Sequence, residues 1–283
     1  MLKFLNILDD LIVTEQKKET LPTELYSQLV SLSEKLWAKK DKEYKKKTYI
    51  STLPFKTRDG VDGQVKIYIN PRLKYIGLMD TRPRYSRDPM DFYMDLNPKE
   101  FGSLKNLFLT IYHEMLHATD PQLSTKMNMK YMSSYSEFSD KKYWGHPIEF
   151  RAITNEFLEA MVMEFDRRMK IYPTKTNLKV LQKSLDNMMD YFKSGKKLTK
   201  NSLDILKRMN DEEVLDNRIS RELANIQTEY PMTSEFFPKK EEEPYFLHYI
   251  EQIKRYNPEI WRRFLTMLYK VSEDISKKIQ GLI

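Results

Sequence analysis

The chain has 283 residues, 40% hydrophobic and 31% charged, which excludes a disordered chain and fits one large or two modest folded domains. It contains no cysteine, so disulfides and thiolate ligands are excluded and any metal must be held by His, Asp or Glu. The formal charge is +7, and no apolar run approaches the length needed to span a bilayer, so no membrane partner is expected.

The N-terminus carries Asn6, Asp9 and Asp10 where a signal peptide needs an apolar core, and it lacks a small-residue cleavage site. A cytoplasmic location is therefore expected. Residues 2–13 place Leu2, Leu5, Leu8, Leu11 and Ile12 at helical spacing, as a docking helix or the first core helix. Pro22 opens a second helix with Leu25, Leu29, Leu32 and Leu36 on one face. It runs into the Lys-rich stretch 39–47. Asp41, Glu43 and the single aromatic Tyr44 in that stretch read as a solvated helix end favoured by the helix dipole, not as a nucleic-acid contact.

From Thr48 the pattern changes to strands. Tyr49, Ile50 and Leu53, then Val61–Ile69, alternate with period two, with Asp59-Gly60 and Asp62-Gly63 supplying turn chemistry. Tyr75–Met79 and Asp91–Leu96 are further strands. Next comes a helix with Asn97 as the expected N-cap, Pro98 at the first helical position and Glu100 three residues after the cap. Leu107–Leu116 is apolar on most sides and predicts a buried helix that stops before Asp120-Pro121.

After Glu149 the pattern is helical almost throughout: Ile148–Ile171, Leu178–Phe192, Leu203–Met209, Glu212–Gln227, Tyr245–Tyr256 and Pro258–Ile279, the last capped by Asn257. Pro238–Pro244 reads as an exposed linker. Met-rich segments such as Met188-Met189 read as adaptable core. His248 lies far from the other histidines and reads as a surface or core residue.

The buried helix carries His113-Glu114-Met115-Leu116-His117, an H-E-x-x-H pattern. Histidines four apart project from one helical face, where both imidazoles can grip one metal ion, and Glu114 sits beside that face. Unpaired polar groups in so apolar a segment would each cost several kcal/mol, on the order of 2–7. A metal would compensate them.

A catalytic zinc site needs a third protein ligand. The metzincin spacing fails, because Leu123 stands where the third histidine belongs and Asp120 where that pattern has glycine. The segment Tyr143-Trp144-Gly145-His146-Pro147-Ile148-Glu149 offers better donors. Pro147 starts a helix and places Glu149 in its first turn, as ligand or as partner of the helix dipole. His146 is an alternative ligand, a substrate contact or a packing residue. Glu156, two turns further, is a competing carboxylate that reads as a salt-bridge partner. Asp120 is a carboxylate that can orient a ligand histidine.

An H-E-x-x-H helix followed some thirty residues later by Glu149-x-x-Ala152 resembles the gluzincin class of zincin metallopeptidases. Tyr143, Pro147, Glu149 and Ala152 together are similar to a pattern in metallopeptidases of bacteriophage genomes, and Glu-Phe-x-Ala resembles the corresponding helix of anthrax lethal factor. The resemblance covers roughly residues 48–165. It implies Zn2+ held by His113, His117 and Glu149, Glu114 as general base, and Tyr143 as a phenol donating to the developing oxyanion. One departure is that thermolysin-like enzymes have Glu-x-x-x-Asp, and the matching position here is Ile153.

The expected fold is α+β. A zincin-like catalytic domain, with a small twisted sheet and an active-site helix, spans 48–172, after an N-terminal helical segment 1–47 and before a helical domain 173–283. The expected function is a zinc metallopeptidase acting on a protein or peptide substrate, in a host cytoplasm or a virion if the protein is viral. The alternative is a zincin-like structural or interaction protein, such as a phage virion component whose helical C-terminal region binds protein partners.

Overall fold

The computed structural model describes residues 21–40, 42, 44–57, 60–73, 77–80, 91–97, 102–119, 147–195, 250, 251, 253–255 and 257–283. The predicted helices over 2–13, Leu203–Met209 and Glu212–Gln227, and the predicted linker Pro238–Pro244, lie outside the described residues. The fold is mixed α+β: one small sheet and several helices, with most of the described residues helical. The described residues fall into two compact units, one up to Thr119 together with Pro147–Glu156, the other within Phe157–Ile283.

The first unit begins with α1, Thr23–Trp37. Its leucines at 25, 29, 32 and 36 are buried, as their spacing on one helical face requires. The helix ends at the Lys-rich stretch, where the Lys40 ammonium lies 3.9 Å from the centre of the Trp37 ring.

Strands β1 (Thr48–Lys56) and β2 (Asp62–Ile69) pair antiparallel. Their connection closes through Thr57 N–H to Val61 O at 2.8 Å and Gly60 N–H to Thr57 O at 2.9 Å. Gly60 has φ +89°, a left-handed conformation that a side chain would strain. Strand β4 (Asp91–Leu96) pairs parallel with β2, and β3 (Gly77–Asp80) pairs antiparallel with β4. The strand order is β1-β2-β4-β3, so β3 ends the sheet among the described residues.

Period-two alternation sorts the two sheet faces. Leu53, Phe55, Val65, Ile67, Ile69, Phe92, Met94 and Leu96 are buried. The other face carries Tyr49, Tyr68 and Tyr93 in edge and stacked contact, with Lys47 over Tyr68 and Lys66 over Tyr93. Asp91 accepts from Lys66 at 3.2 Å, and that bond raises the Lys66 pKa above its ordinary value.

Helix α2, Leu104–Ala118, lies against α1 and β3. Tyr26 of α1 meets Phe108 and Tyr112 of α2 edge-on, at centroid distances of 5.4 and 6.2 Å. The start of α2 corrects the sequence reading. The N-cap is Ser103, whose hydroxyl accepts from Asn106 N–H at 3.1 Å. Asn97 donates its side-chain amide to Leu73 O at 2.6 Å. The end of α2 agrees with expectation, with Thr119 as C-cap.

The second unit holds the rest of α3 (Pro147–Ile171) with α4 (Lys175–Ser194) and α5 (Pro258–Leu282). Phe157, Phe192, Trp261 and Phe264 form its aromatic centre, with ring centroids 5.5–6.5 Å apart. Thr174 caps α4, and Gly195 ends it at φ +64°. Asn257 caps α5, with Pro258 in its first turn, as the sequence predicts. Of the predicted helix Tyr245–Tyr256, the buried pair Glu251 and Lys254 is described, 3.0 Å apart. Among the described residues, no helix is long and apolar enough to cross a membrane.

Gly63 marks how tightly the hairpin is packed. A Cβ there would come within 2.5 Å of the ring of buried Phe55, its cross-strand partner. Gly63→Ala is expected to destabilise the protein by about 1–3 kcal/mol, read as a lower urea midpoint with an unchanged slope.

Candidate metal centre

Helix α2 is buried on nearly every side. Asn106, Leu107, Phe108, Leu109, Ile111, Tyr112, Met115, Leu116 and Ala118 are all buried. Between them Thr110, His113, Glu114 and His117 are partly exposed. Spacings of three and four put these residues on one stripe. The H-E-x-x-H residues are thus the open seam of an otherwise closed helix.

The two imidazoles meet along that seam. His113 Nε2 and His117 Nε2 are 3.1 Å apart, with the ring planes at 79°. Two nitrogens bound at the usual Zn–N distance in tetrahedral geometry would lie about 3.3 Å apart. The pair is spaced as a hydrogen bond, at a separation that two donors to one cation would also take. At most one of the facing nitrogens can carry a proton, since two N–H groups cannot share that line.

The other nitrogen of His113 is also engaged. His113 Nδ1 lies 2.7 Å from Glu156 Oε2, across 43 positions of sequence. His113 is 21% exposed and Glu156 33%, so the contact sits at the rim of the seam. A carboxylate can only accept, so Nδ1 carries the proton in this bond and the neutral ring has its lone pair at Nε2. That is the tautomer a metal-binding histidine needs.

Helix α3 supplies the carboxylate. Phe150, Ala152, Ile153, Thr154 and Asn155 are buried, which fixes this end of α3 in the first unit and turns Glu156 toward His113. Glu149 lies in the first turn of α3 by its backbone, seven residues before Glu156, so the two occupy the same helical face two turns apart.

Of the site residues expected from the sequence, the structure brings His113, Glu114 and His117 together on α2. Asp120, Tyr143 and His146, and the side chain of Glu149, lie outside the described residues. Among the described residues, no group of three His, Asp or Glu is arranged to hold a metal. The two imidazoles described suit a cation in tautomer and spacing. Glu156, read from the sequence as a salt-bridge partner two turns beyond Glu149, is one, and its partner is His113.

No protein-family model, curated protein sequence or solved structure matches the chain.

A cation held by the folded protein alone must stabilise it. Zinc at about 100 times its dissociation constant is expected to add about 2.7 kcal/mol, seen as a rise in melting temperature that EDTA reverses. His117→Ala should melt at the same temperature with and without zinc.

Proposed function

We propose that the protein is a zinc-dependent metallopeptidase of gluzincin type, built on a zincin-like domain. The observation that carries this reading is the facing pair of Nε2 atoms, 3.1 Å apart on an open stripe of a buried helix, with Glu156 on the far nitrogen of His113. A structural histidine pair needs neither the open stripe nor the carboxylate behind it.

In this reading His113, His117 and Glu149 hold the zinc. When bound, zinc polarises a water molecule and the scissile carbonyl. Glu114 shares the partly exposed stripe with both histidines, which suits a base that takes the proton of the attacking water and passes it to the leaving amine. Tyr143 would donate its phenolic proton to the oxygen that gains charge. His146 and Asp120 would contact substrate or orient a ligand.

The sheet gives this chemistry a track for its substrate. Strand β3 ends the sheet among the described residues and lies against α2. An extended peptide can add to such an edge through main-chain hydrogen bonds, bringing its backbone alongside the helix that carries the histidines.

A second reading, a zincin-like assembly or virion protein, is favoured by the helical unit of α3, α4 and α5. That unit closes around its own aromatic core and contains neither histidine of the pair.

Glu114→Gln separates the two. It is expected to keep its zinc and to lose peptidase activity on a denatured protein substrate by about 10²–10⁴-fold. Undiminished hydrolysis would remove Glu114 as the base. Zinc content equal in wild type and His113→Ala, measured by mass spectrometry of the metal, would remove the metal site altogether.

A further inference from the structure

We infer that Glu156 is the positioning carboxylate of the metal centre: it fixes His113 as a donor through Nε2 and is not itself a ligand. This inference rests on the zinc reading above and assigns a part of the site that the gluzincin resemblance leaves vacant. In the thermolysin-like pattern the corresponding carboxylate stands four residues after the ligand glutamate, and here that position is Ile153, which is buried and apolar.

Three observations carry it. First, the bond is made at Nδ1, at a charge-assisted length of 2.7 Å, while Nε2 of the same ring faces His117. Because Nδ1 and Nε2 lie on opposite sides of the imidazole, an oxygen held at Nδ1 stands behind the ring. Glu156 is thereby removed from competition for the third ligand position.

Second, the contact joins two helices. A pair within one helix can form from local spacing alone, whereas this one depends on how α3 meets α2. Third, Glu156 keeps access to water at 33% exposure. Desolvation does not force it onto a partner, so an unscreened need for charge neutralisation is not the reason for the bond.

Glu156 also sets the phase of α3. Seven residues correspond to about 10.5 Å along the helix axis. With Glu156 behind His113, the residue on the same face two turns toward the N-terminus is Glu149. One helical face of α3 thus carries both carboxylates, and the spacing of seven does the work that a spacing of four does in the resembling family.

The test uses the full chain and zinc itself, with affinity measured by competition against a chromophoric chelator. Glu156→Ala is expected to weaken zinc binding about 10–100-fold. Glu156→Gln keeps an acceptor oxygen at the same reach, and is expected to lose less. Long-range ¹H–¹⁵N NMR of the metal-free wild type is expected to show His113 protonated at Nδ1, and Glu156→Ala to lose that preference.

His117→Ala, run alongside, separates this inference from the reading on which it rests. Zinc lost in His117→Ala but bound with wild-type affinity by Glu156→Ala overturns the positioning role and leaves the metal site standing. Zinc affinity untouched in His117→Ala overturns the metal site. If Glu156→Ala does not fold, Glu156→Gln and the wild-type spectrum decide, and a metal-free His113 protonated at Nε2 overturns the inference.

Discussion

Two imidazole nitrogens held face to face at 3.1 Å, on a helix that is otherwise buried, are the constraint around which the first unit is organised. Polar groups in such a place lose part of their water, and hydrogen bonds or a bound group make good what is lost. His113 recovers one bond from Glu156 at Nδ1. Its remaining lone pair points at His117 and asks for a proton or a cation. From Asn106 onward the helix closes its other faces, leaving Thr110, His113, Glu114 and His117 on an open stripe.

The surrounding elements hold that helix in place without entering the chemistry. Tyr26 of α1 anchors Phe108 and Tyr112 on α2, about two and a half and one and a half turns before His117. Strand β3 lies against the same helix, and Ser103 satisfies its first turn so that it starts cleanly at Leu104. The sheet behind β3 is locked by a hairpin whose turn needs Gly60 at positive φ, and by Phe55 lying over Gly63. The opposite sheet face, with its Tyr49, Tyr68 and Tyr93 ladder, satisfies its own lysines through Asp91 and Asp95. The second unit obeys a simpler rule, with amphipathic helices closing over an aromatic centre and capped at Thr174 and Asn257.

Much of the local structure was legible in the sequence. The leucines of α1, the alternation in β1 and β2, the H-E-x-x-H helix and the Asn257-Pro258 start of α5 all follow from spacing and from residues with strong positional preferences. The start of α2 was read six residues early. Asn97, Pro98 and Glu100 make a good capping signal, but the described helix begins later, at Leu104. Asn97 also donates its side-chain amide to Leu73 O, a partner 24 positions earlier that local pattern cannot reveal. Ser103 is an equally competent cap and is the one used.

By itself the sequence determined that two histidines share one face of an apolar helix with a glutamate beside it, because helical periodicity is a local property. It also determined that α3 carries carboxylates at 149 and 156 on a repeating face. Tertiary structure alone decided that the histidines sit on the open seam and not in the core, and that Glu156 reaches Nδ1 of His113. The physical reason is that a tautomer, and with it the choice of donor nitrogen, is set by the hydrogen bond at the other end of the ring. That bond comes from a helix 43 positions away, placed by the packing of Phe150, Ala152 and Ile153 rather than by any local preference.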